Sequence, residues 1–486
     1  MYLKQQRVTK ASIVAFYKLY KPGCVMETNQ IYQGDCLEVL RQMEDESVDS
    51  IVTDPPAGIS FMGKSWDKDK GGRDQWIAWL QEIMEECNRV LKPGAHIAVW
   101  ALPKTSHWTR MAIDNAGFEI RHIIDHVYAS GFPKSQNTEK AALRRIENEI
   151  GEQYDGDEII WSYKETNQIV EEYKIRVFEK EVVITQNADG TFNKPDFIKD
   201  LKDKGSALKP SHEDWILARK PLSEKSIVEN CIKHGTGALD IDGCRIPTNE
   251  TLSIGSNNHK KATVFQSDKE LKSNGQHTQG RFPADVIVSG DALNDGEITK
   301  SGYMKKGHPY GLDDGQNVYG KLSGCTQNDT HGDSGSKSRY FDLDVWAEKN
   351  GIVYCSKPSK KERNKGCEGL SPQFSPTMND GIGAKEHNPE TATKKQNHHP
   401  TCKPLKLMSW LITLVSKKGD IILDPFTGSG TTGVAAKMLE RRFVGIELEE
   451  EYIEIARRRV HNIELKEEYI EIARRRVRNI ELSLFE

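Results

Sequence analysis

Short apolar runs alternate with amphipathic stretches in the first third of the chain, from residue 31 to about residue 135. A strand-like run at 48–52 precedes a longer stretch at 75–91, and another strand-like run follows at 96–100. Apolar residues within 75–91 recur at steps of three and four, which is typical of a helix lying on a sheet. The pattern predicts βαβ units, and therefore a parallel sheet covered by helices.

The alternation is lost between about 150 and 390 and returns near the end of the chain. Residues 301–337 in particular are dominated by Gly, Asn, Asp, Ser and Lys. The region between about 150 and 390 should therefore be rich in loops, with small ordered patches at 285–288 and 351–354. Beyond it the pattern predicts a helix at 405–415, a strand at 420–423, a helix at 431–440 and a strand at 442–446. We therefore expect one α/β sheet built from both ends of the chain, with the middle as an insertion.

A direct repeat lies in the tail, because residues 451–460 recur unchanged as residues 468–477. Repeat architectures normally need three or more units, so two copies favour the duplication of one terminal helix. Each copy carries consecutive arginines balanced by glutamates, and we expect these arginines to lie on a solvated helix face.

Composition narrows the class of protein without identifying a ligand. With 486 residues, 36% of them hydrophobic, the chain can bury a substantial core in two or three domains. The net charge of -4 means that any nucleic-acid surface must come from local clusters of Lys and Arg. The sequence has no apolar run of about 18 residues and therefore predicts no membrane span. Nine scattered cysteines without a secretion signal predict reduced thiols in a cytoplasm.

Residues 420–433 place a strand, a glycine-rich turn and the start of a helix in succession. Gly428, Gly430 and Gly433 let a ligand approach the backbone, and the helix N-terminus offers free N–H donors. Glu447 follows 19 residues after Gly428, at the end of the next predicted strand, where its carboxylate can accept ribose hydroxyls. Taken alone, this segment leaves a nicotinamide-dependent enzyme open. A phosphate-binding P-loop is disfavoured because no Gly-Lys-Ser/Thr follows.

The sequence Asp54-Pro55-Pro56 ends the predicted strand at 48–52 in a stiff turn. Prolines lack an N–H group and fix φ, so the carbonyls of this turn are left as acceptors. An exocyclic NH2 of adenine or cytosine is a poor nucleophile because its lone pair is delocalised into the ring. Accepting its hydrogens on the Asp54 carboxylate and the Pro55 carbonyl would free that lone pair for attack on a sulfonium methyl. In isolation, an ordinary strand-ending turn remains the alternative.

Together the two segments resemble the paired signature of the amino-group (N6-adenine/N4-cytosine) DNA methyltransferase family. Asp54-Pro55-Pro56 resembles its catalytic motif, and Asp424-Pro425-Phe426-Thr427-Gly428-Ser429-Gly430 resembles its methyl-donor loop. Gly34-Asp35-Cys36-Leu37-Glu38 and His399-Pro400-Thr401-Cys402-Lys403-Pro404 are similar to two further motifs. The order, with the catalytic half first, resembles the beta class. The resemblance implies an α/β fold with a Rossmann-like, mostly parallel seven-stranded sheet flanked by helices.

The resemblance also implies a cofactor and the roles of individual residues. The cofactor is S-adenosyl-L-methionine, and the Asp54-Pro55-Pro56 turn is implied to be catalytic. Asp35 is implied to contact the donor's adenine, Glu447 its ribose, and Lys403 lies in the segment lining the donor pocket. The donor loop contributes the remaining cofactor-binding residues, Asp424, Phe426, Gly428, Gly430, Thr431 and Thr432. Because a base inside a duplex cannot reach such a pocket, the target nucleotide must be flipped out.

One position departs from the family's pattern, and it bears on the choice of base. Ala57 stands where the family usually has an aromatic residue that stacks on the flipped base. Phe61 or Trp66 could supply the missing aromatic face, and burial of both in the core is the alternative. By the resemblance, Asp rather than Ser at position 54 favours adenine N6 over cytosine N4.

The resemblance assigns the long insertion to target recognition. It implies an N-terminal extension at 1–30, a catalytic half at 31–149, a target-recognition insertion at 150–395, a donor-binding half at 396–465 and a duplicated helix at 466–486. Basic residues that could meet DNA phosphates are Lys134, Lys357, Lys360, Lys361, Arg363 and Lys365. A solvated loop explains the cluster at 357–365 equally well.

Three functions follow, in order of preference. The first is a site-specific methyltransferase of double-stranded DNA, prokaryotic or phage-encoded, cytoplasmic and associated with the nucleoid. The second is a nicotinamide-dependent oxidoreductase, and the third is a catalytically silent DNA-binding regulator, with which Ala57 is compatible. We expect no metal site, because Cys231, His234 and Cys244 lack an opposing Cys-x-x-Cys pair. A homodimer and a cognate restriction endonuclease are further partners that the resemblance allows.

Overall fold

A computed structural model describes most of the chain, in two compact units. The described residues are 26–61, 64–128, 135, 137–151, 161–162, 169–177, 180–247, 252–253, 276–277, 280–290, 292–294, 297–300, 334–352, 360–374 and 394–462. The larger unit comprises Met1–Ala129 and His212–Glu486, and the smaller unit is Ser130–Ser211.

An eight-stranded sheet forms the centre of the larger unit. In chain order its strands are β1 (Gln30–Gln33), β2 (Val48–Thr53), β3 (Leu91–Ala101), β4 (Glu119–Tyr128), β5 (His212–Arg219), β6 (Val286–Ser289), β7 (Ile421–Asp424) and β8 (Arg442–Glu447). Their spatial order is β1-β8-β7-β2-β3-β5-β4-β6. β5 runs antiparallel to β3 and β4, whereas the other neighbouring strands pair in parallel. The expected α/β class with a mostly parallel sheet is confirmed, with eight strands instead of seven.

Helices cover both faces of this sheet. They are α1 (Cys36–Leu40), α2 (Arg73–Val90), α3 (Ser106–Asn115), α4 (Ile227–His234), α5 (Leu343–Lys349), α6 (Lys360–Asn364), α7 (Leu405–Val415), α8 (Thr431–Met438) and α9 (Glu450–His461). Because successive strand residues point to opposite faces, Ile51 joins the core formed with α2, whereas Val52 joins the core formed with α7. None of the helices in the described part of the chain is long and apolar enough to cross a membrane.

The middle of the chain contributes two strands to the central sheet, which corrects the expectation of a sheet built only from the two ends. β5 lies between β3 and β4, and β6 forms the edge beside β4. Trp215, Ile216, Leu217 and Ala218 of β5 are all buried. A continuous apolar run of this length is typical of a strand covered on both faces. Because polar residues surround this short apolar run in the sequence, periodicity does not predict the strand.

The smaller unit holds a separate four-stranded sheet. Its strands, in spatial order, are Trp161–Ser162, Phe192–Asn193, Lys180–Asn187 and Ile169–Val177. It also contains the helices Thr138–Gly151 and Asp196–Lys199. Ile146, Ile184 and Ile198 are fully buried in its small core. This unit therefore has its own apolar centre, to which Ile146 of the predicted catalytic half contributes together with residues of the predicted insertion.

Short elements complete the described structure. Pairs of two-residue strands are formed by Leu252–Ser253 with Gln276–His277, Thr299–Lys300 with Ser334–Gly335, and Gln373–Phe374 with Lys394–Lys395. The two single-turn helices are Ser65–Asp67 and Lys337–Tyr340. The ordered patch predicted at 285–288 is β6, shifted by one residue. In the other predicted patch, residues 353–354 lie outside the described residues.

The elements that carry the two sequence motifs are neighbours in the sheet. The helix predicted at 405–415 is confirmed as α7, and the strands predicted at 48–52 and 420–423 are confirmed as β2 and β7 with ends shifted by one residue. β2 and β7 pair in parallel, so their carboxyl ends meet at the same edge. Open parallel sheets bind ligands at that edge.

Candidate active site

The glycine-rich loop between β7 and α8 forms one side of the candidate site. Gly428 and Gly430 have φ values of 53° and 79°, a left-handed conformation that favours glycine. A Cβ atom on Gly430 would lie 3.0 Å from the Cβ of Ala456 on α9. A larger residue there would push the loop away from α9.

Asp424 ties this loop to the neighbouring strand. Its buried carboxylate accepts hydrogen bonds from the Thr432 hydroxyl at 2.6 Å, the Thr53 hydroxyl at 2.6 Å and the Phe426 amide at 3.1 Å. Burial raises the pKa of Asp424 to about 6, although the three donors oppose that rise. Because Thr53 immediately precedes Asp54, the glycine loop and the Asp-Pro-Pro turn share one anchor.

Two further carboxylates lie beside the loop. Glu447 ends β8, and its oxygens accept the amides of Gly428 at 2.7 Å and Glu449 at 2.9 Å. Burial raises the pKa of Glu447 to about 7. Asp35 caps α1, where one of its oxygens accepts two backbone amides of that helix. Both acids line the same cleft.

Asp54 follows the last residue of β2 and pairs with a lysine. The Nζ of Lys403 lies 3.1 Å from Oδ2 of Asp54. Burial raises the pKa of Asp54, and the positive charge of Lys403 opposes that rise. The sequence motif places Lys403 in the donor pocket, and the structure shows that it lines the cleft and also contacts the predicted catalytic carboxylate.

A buried aspartate that the sequence analysis missed organises the loop after the Asp-Pro-Pro turn. Asp67 is 1% exposed, and its Oδ1 accepts the amides of Ala57 at 2.6 Å and Gly58 at 2.9 Å. Its Oδ2 accepts the amide of Phe61 at 2.7 Å. No local pattern distinguishes Asp67 from the exposed Asp69 two residues later, so only the folded structure identifies it.

Trp66 supplies an aromatic face in the cleft, whereas Phe61 is not among the lining residues. Trp66 stacks on His399, with ring centroids 6.3 Å apart and an interplanar angle of 13°. Trp79 of α2 also lines the cleft and contacts the ring of Phe426 at a centroid distance of 6.0 Å. The sequence pattern indicated only a packing role for Trp79.

The cleft itself encloses about 1000 Å³, part of it open to solvent. The sequence-predicted residues that it brings together are Asp35, Asp54, Pro56, Trp66, Lys403, Asp424, Phe426, Gly428, Thr431, Thr432 and Glu447. Pro55 and Gly430 belong to the same two turns without lining the cleft. The two halves of the sequence signature therefore meet around one space.

The first copy of the C-terminal repeat braces the glycine loop. Arg459 of α9 is 4% exposed, and its Nη1 donates to the carbonyl and hydroxyl of Ser429 at 2.6 and 2.9 Å and to the Thr431 hydroxyl at 3.2 Å. Its neighbour Arg458 forms an exposed ion pair with Glu454. The expectation of a solvated arginine face is thus wrong for Arg459. The second copy, at 468–477, lies outside the described residues.

The basic residues predicted to meet DNA phosphates are described only in part. Lys134 and Lys357 lie outside the described residues. Lys360 and Lys361 belong to α6, but their side chains are not described. Lys365 follows that helix and is exposed. Their contact with DNA stays a prediction.

Arg363 is engaged within the chain instead of extending into solvent. Its guanidinium donates a short hydrogen bond to the carbonyl of His399. The adjacent Glu362 is buried and accepts the amide of Leu405, the first residue of α7, at 3.0 Å. These contacts make α6 an anchor for the segment that carries Lys403.

Comparison with known proteins identifies relatives of this arrangement. A family model described as a DNA methylase, N6_N4_Mtase, matches residues 48–458. The type II methyltransferase M2.DpnII of Streptococcus pneumoniae is 36% identical over 170 residues, covering 33% of this chain and 59% of that protein. M2.LlaDCHI of Lactococcus lactis subsp. cremoris is 35% identical over 170 residues, with the same two coverages. The chain thus spans about three fifths of the length of these curated relatives.

A structural comparison gives a weaker likeness. The crystal structure of the M1.HpyAVI-SAM complex shares 15% sequence identity with this chain at a TM-score of 0.34. The match covers 89% of this chain and 98% of the other.

Proposed function

The chain belongs to the N6_N4_Mtase family of DNA methylases, and on that premise we propose that it methylates an exocyclic amino group of a base in double-stranded DNA. S-adenosylmethionine, when bound, supplies an activated sulfonium methyl group. One observation carries the proposal. The Asp54 carboxylate and the glycine loop line one cleft, and the Thr53–Asp424 hydrogen bond joins their strands.

On the acceptor side, Asp54 and the turn that follows it receive the amino group. The Asp54 carboxylate, which lines the cleft, accepts one of its hydrogens, and a backbone carbonyl of the Asp54-Pro55-Pro56 turn accepts the other. These bonds favour a tetrahedral nitrogen whose lone pair is free of the ring, and they orient it for in-line attack. Asp54 must be ionised for this role, and the ammonium of Lys403 favours the ionised form.

On the donor side, the residues present fit a nucleoside-bearing methyl donor. The Glu447 oxygens each accept one backbone amide and retain lone pairs for ribose hydroxyls. Asp35 offers a carboxylate to the donor's adenine, and Phe426 and Trp79 offer apolar ring faces. A Cβ on Gly428 would come within 2.9 Å of the His399 Nε2, so glycine lets the loop pack closely against His399.

The DNA must deform for the base to reach Asp54. A stacked base is inaccessible, so we propose that the target nucleotide is flipped out of the duplex into the cleft. Trp66, which lines the cleft, then offers its indole face to the base in place of the aromatic residue that Ala57 replaces. We assign the reading of the DNA sequence to residues 150–395 apart from β5 and β6, which belong to the central sheet.

We propose adenine N6 as the acceptor atom, because Asp occupies the first position of the Asp-Pro-Pro motif. Cytosine N4 is the alternative with the same amino chemistry. The proposal also implies a type II modification system, in which a cognate endonuclease cuts DNA that this chain has not methylated.

The test is a chemical identification of the product. The full chain is incubated with unmethylated plasmid DNA and S-adenosylmethionine carrying a deuterated methyl group, and the digested nucleosides are analysed by mass spectrometry. We expect deuterated N6-methyladenine. Deuterated N4-methylcytosine would overturn only the choice of adenine as the target base. Unlabelled DNA, or label on a ring carbon, would overturn amino-group methylation itself.

A further inference from the structure

Lys403 lies between two carboxylates and above an aromatic ring. Its Nζ is 3.1 Å from Oδ2 of Asp54, 4.0 Å from Oε2 of Glu213 and 3.7 Å from the centroid of the Trp100 ring. The lysine side chain is only 10% exposed. An ammonium with so little contact with water needs compensating negative charge, and here it has two sources of it.

Trp100 holds this arrangement together from the adjacent strand. Its indole N–H donates to Oε2 of Glu213 at 3.0 Å, which fixes that carboxylate beside the lysine. Its ring face lies beneath the ammonium, where a cation–π contact adds to the stabilisation of the positive charge. Trp100 and Glu213 lie on the paired strands β3 and β5, so the geometry is part of the central sheet.

In the proposed reaction the Asp54 carboxylate has two partners, Lys403 and the amino group of the base. It pairs with Lys403 in the structure, and it must accept the amino group of the base during methyl transfer. The incoming amino group therefore competes with the ammonium for the same carboxylate. An ammonium left without an anion would be a buried, uncompensated charge, which is strongly unfavourable.

We propose that Lys403 is a positioning residue shared between Asp54 and Glu213, and this inference rests on the proposed function. Lys403 holds Asp54 ionised and aimed at the cleft while the cleft contains no base. When the amino group takes the Asp54 carboxylate, the ammonium shifts along the Trp100 ring toward Glu213, which keeps it compensated. Glu213 thus lets Asp54 release its partner without exposing a buried charge.

The charges around Asp54 give this exchange a measurable signature. The charged groups facing it are Lys403 before α7, Glu213 on β5, Asp67 in the following loop and Asp424 at the end of β7. Burial raises the pKa of Asp54, Lys403 lowers it, and Glu213 raises it. Activity is lost when pH falls through the pKa of Asp54, because the protonated carboxyl is a weaker acceptor for the hydrogen of the amino group. The loss should therefore begin at higher pH without Lys403 and at lower pH without Glu213.

The experiment measures kcat/KM for plasmid DNA against pH, at saturating S-adenosylmethionine, because this parameter reports groups of the enzyme before DNA binds. The variants are Lys403→Met, Lys403→Arg and Glu213→Gln in the full chain. Lys418→Met and Glu440→Gln are the matched controls, since this exposed ion pair lies at the opposite edge of the sheet.

The acid limb is the part of the pH profile in which kcat/KM falls as Asp54 becomes protonated. We expect this limb to lie about one pH unit higher for Lys403→Met than for the wild type. At pH values below the limb the variant should lose about tenfold in kcat/KM, and at higher pH its kcat/KM should recover. Lys403→Arg retains the charge and should keep the limb close to that of the wild type. Glu213→Gln should move the limb down while lowering the plateau about tenfold, because the ammonium then has only Asp54. The two control variants should retain the wild-type profile.

The outcomes separate the two proposals. An active wild type whose acid limb is unmoved in Lys403→Met and Glu213→Gln overturns the shared lysine alone, even if both plateaus fall. A wild-type chain that methylates no DNA overturns the proposed function, and the shared lysine with it. Opposite shifts of the two limbs support the exchange, because a purely structural role would lower the plateau without moving them.

Discussion

The hydroxyl of Thr53 donates a 2.6 Å hydrogen bond to the carboxylate of Asp424, although 371 residues separate the two in the chain. Both side chains are buried at the carboxyl ends of adjacent parallel strands. The bond fixes the Asp-Pro-Pro turn relative to the glycine loop. Methyl transfer needs that alignment, because the rate depends steeply on the positions of the two reacting atoms.

The brace from α9 should matter for stability. Arg459→Met removes three hydrogen bonds from a charged donor to the glycine loop, and we expect the free energy of unfolding to fall by about 2–3 kcal/mol. Arg458→Met is the matched control, since its exposed pair with Glu454 should contribute at most about 0.5 kcal/mol. Urea denaturation measures both. If the free energy of unfolding fell equally in the two variants, the hydrogen bonds from Arg459 to the glycine loop would not stabilise the fold.

Asp67 should affect catalysis more than donor binding. Asp67→Asn replaces one acceptor oxygen by an NH2 group, so at least one of the three amide contacts is lost and the loop after Asp54 shifts. We expect kcat to fall about tenfold, the equivalent of 1.4 kcal/mol in the barrier. Asp69→Asn, at an exposed residue whose carboxylate accepts the Gly71 amide, should retain kcat. A kcat for Asp67→Asn equal to that of Asp69→Asn refutes the role assigned to Asp67.

Glu447 should make donor affinity depend on pH. Burial raises its pKa to about 7 in the free protein, and ribose hydroxyls that donate to it favour the ionised form. Donor binding therefore releases a proton, and the affinity for S-adenosylmethionine should be highest above pH 7. We expect it to weaken about tenfold from pH 8 to pH 6, as measured by calorimetry.

Glu447→Gln is the control for that titration. Its side chain has no charge to lose, so its donor affinity should be weaker than that of the wild type and flat across the same range. If the wild-type affinity is also flat, Glu447 does not titrate on donor binding and its assignment to the ribose fails.

The sequence predicts the parts of the site whose chemistry is local. Gly428 and Gly430 are required by a tight turn between a strand and a helix, and Asp54 is placed by the end of a buried strand. These features follow from neighbours along the chain, so periodicity and turn chemistry are enough to find them. Their proximity follows from the pairing of parallel strands, and the structure confirms it.

The remaining parts depend on contacts that no local pattern encodes. Lys403 meets Asp54, and Arg459 meets Ser429, only because distant elements fold onto the same edge of the sheet. Arg459 was expected at the surface because its neighbours in the sequence are charged. β5 was missed for a similar reason, since its short apolar run is surrounded by polar residues. Burial by tertiary packing overrides the local composition in each case.

The measurement that tests the central claim most directly is single-turnover methyl transfer by Asp54→Ala, with enzyme in excess of plasmid DNA and the dissociation constant of S-adenosylmethionine determined in parallel. The claim predicts that the transfer rate falls by at least about 100-fold, the typical effect of losing a positioned polar contact to the reacting centre. It also predicts unchanged donor binding, because the donor contacts are assigned to the glycine loop, Glu447 and Asp35. A variant that transfers methyl groups at the wild-type rate would contradict the claim that Asp54 receives the amino group.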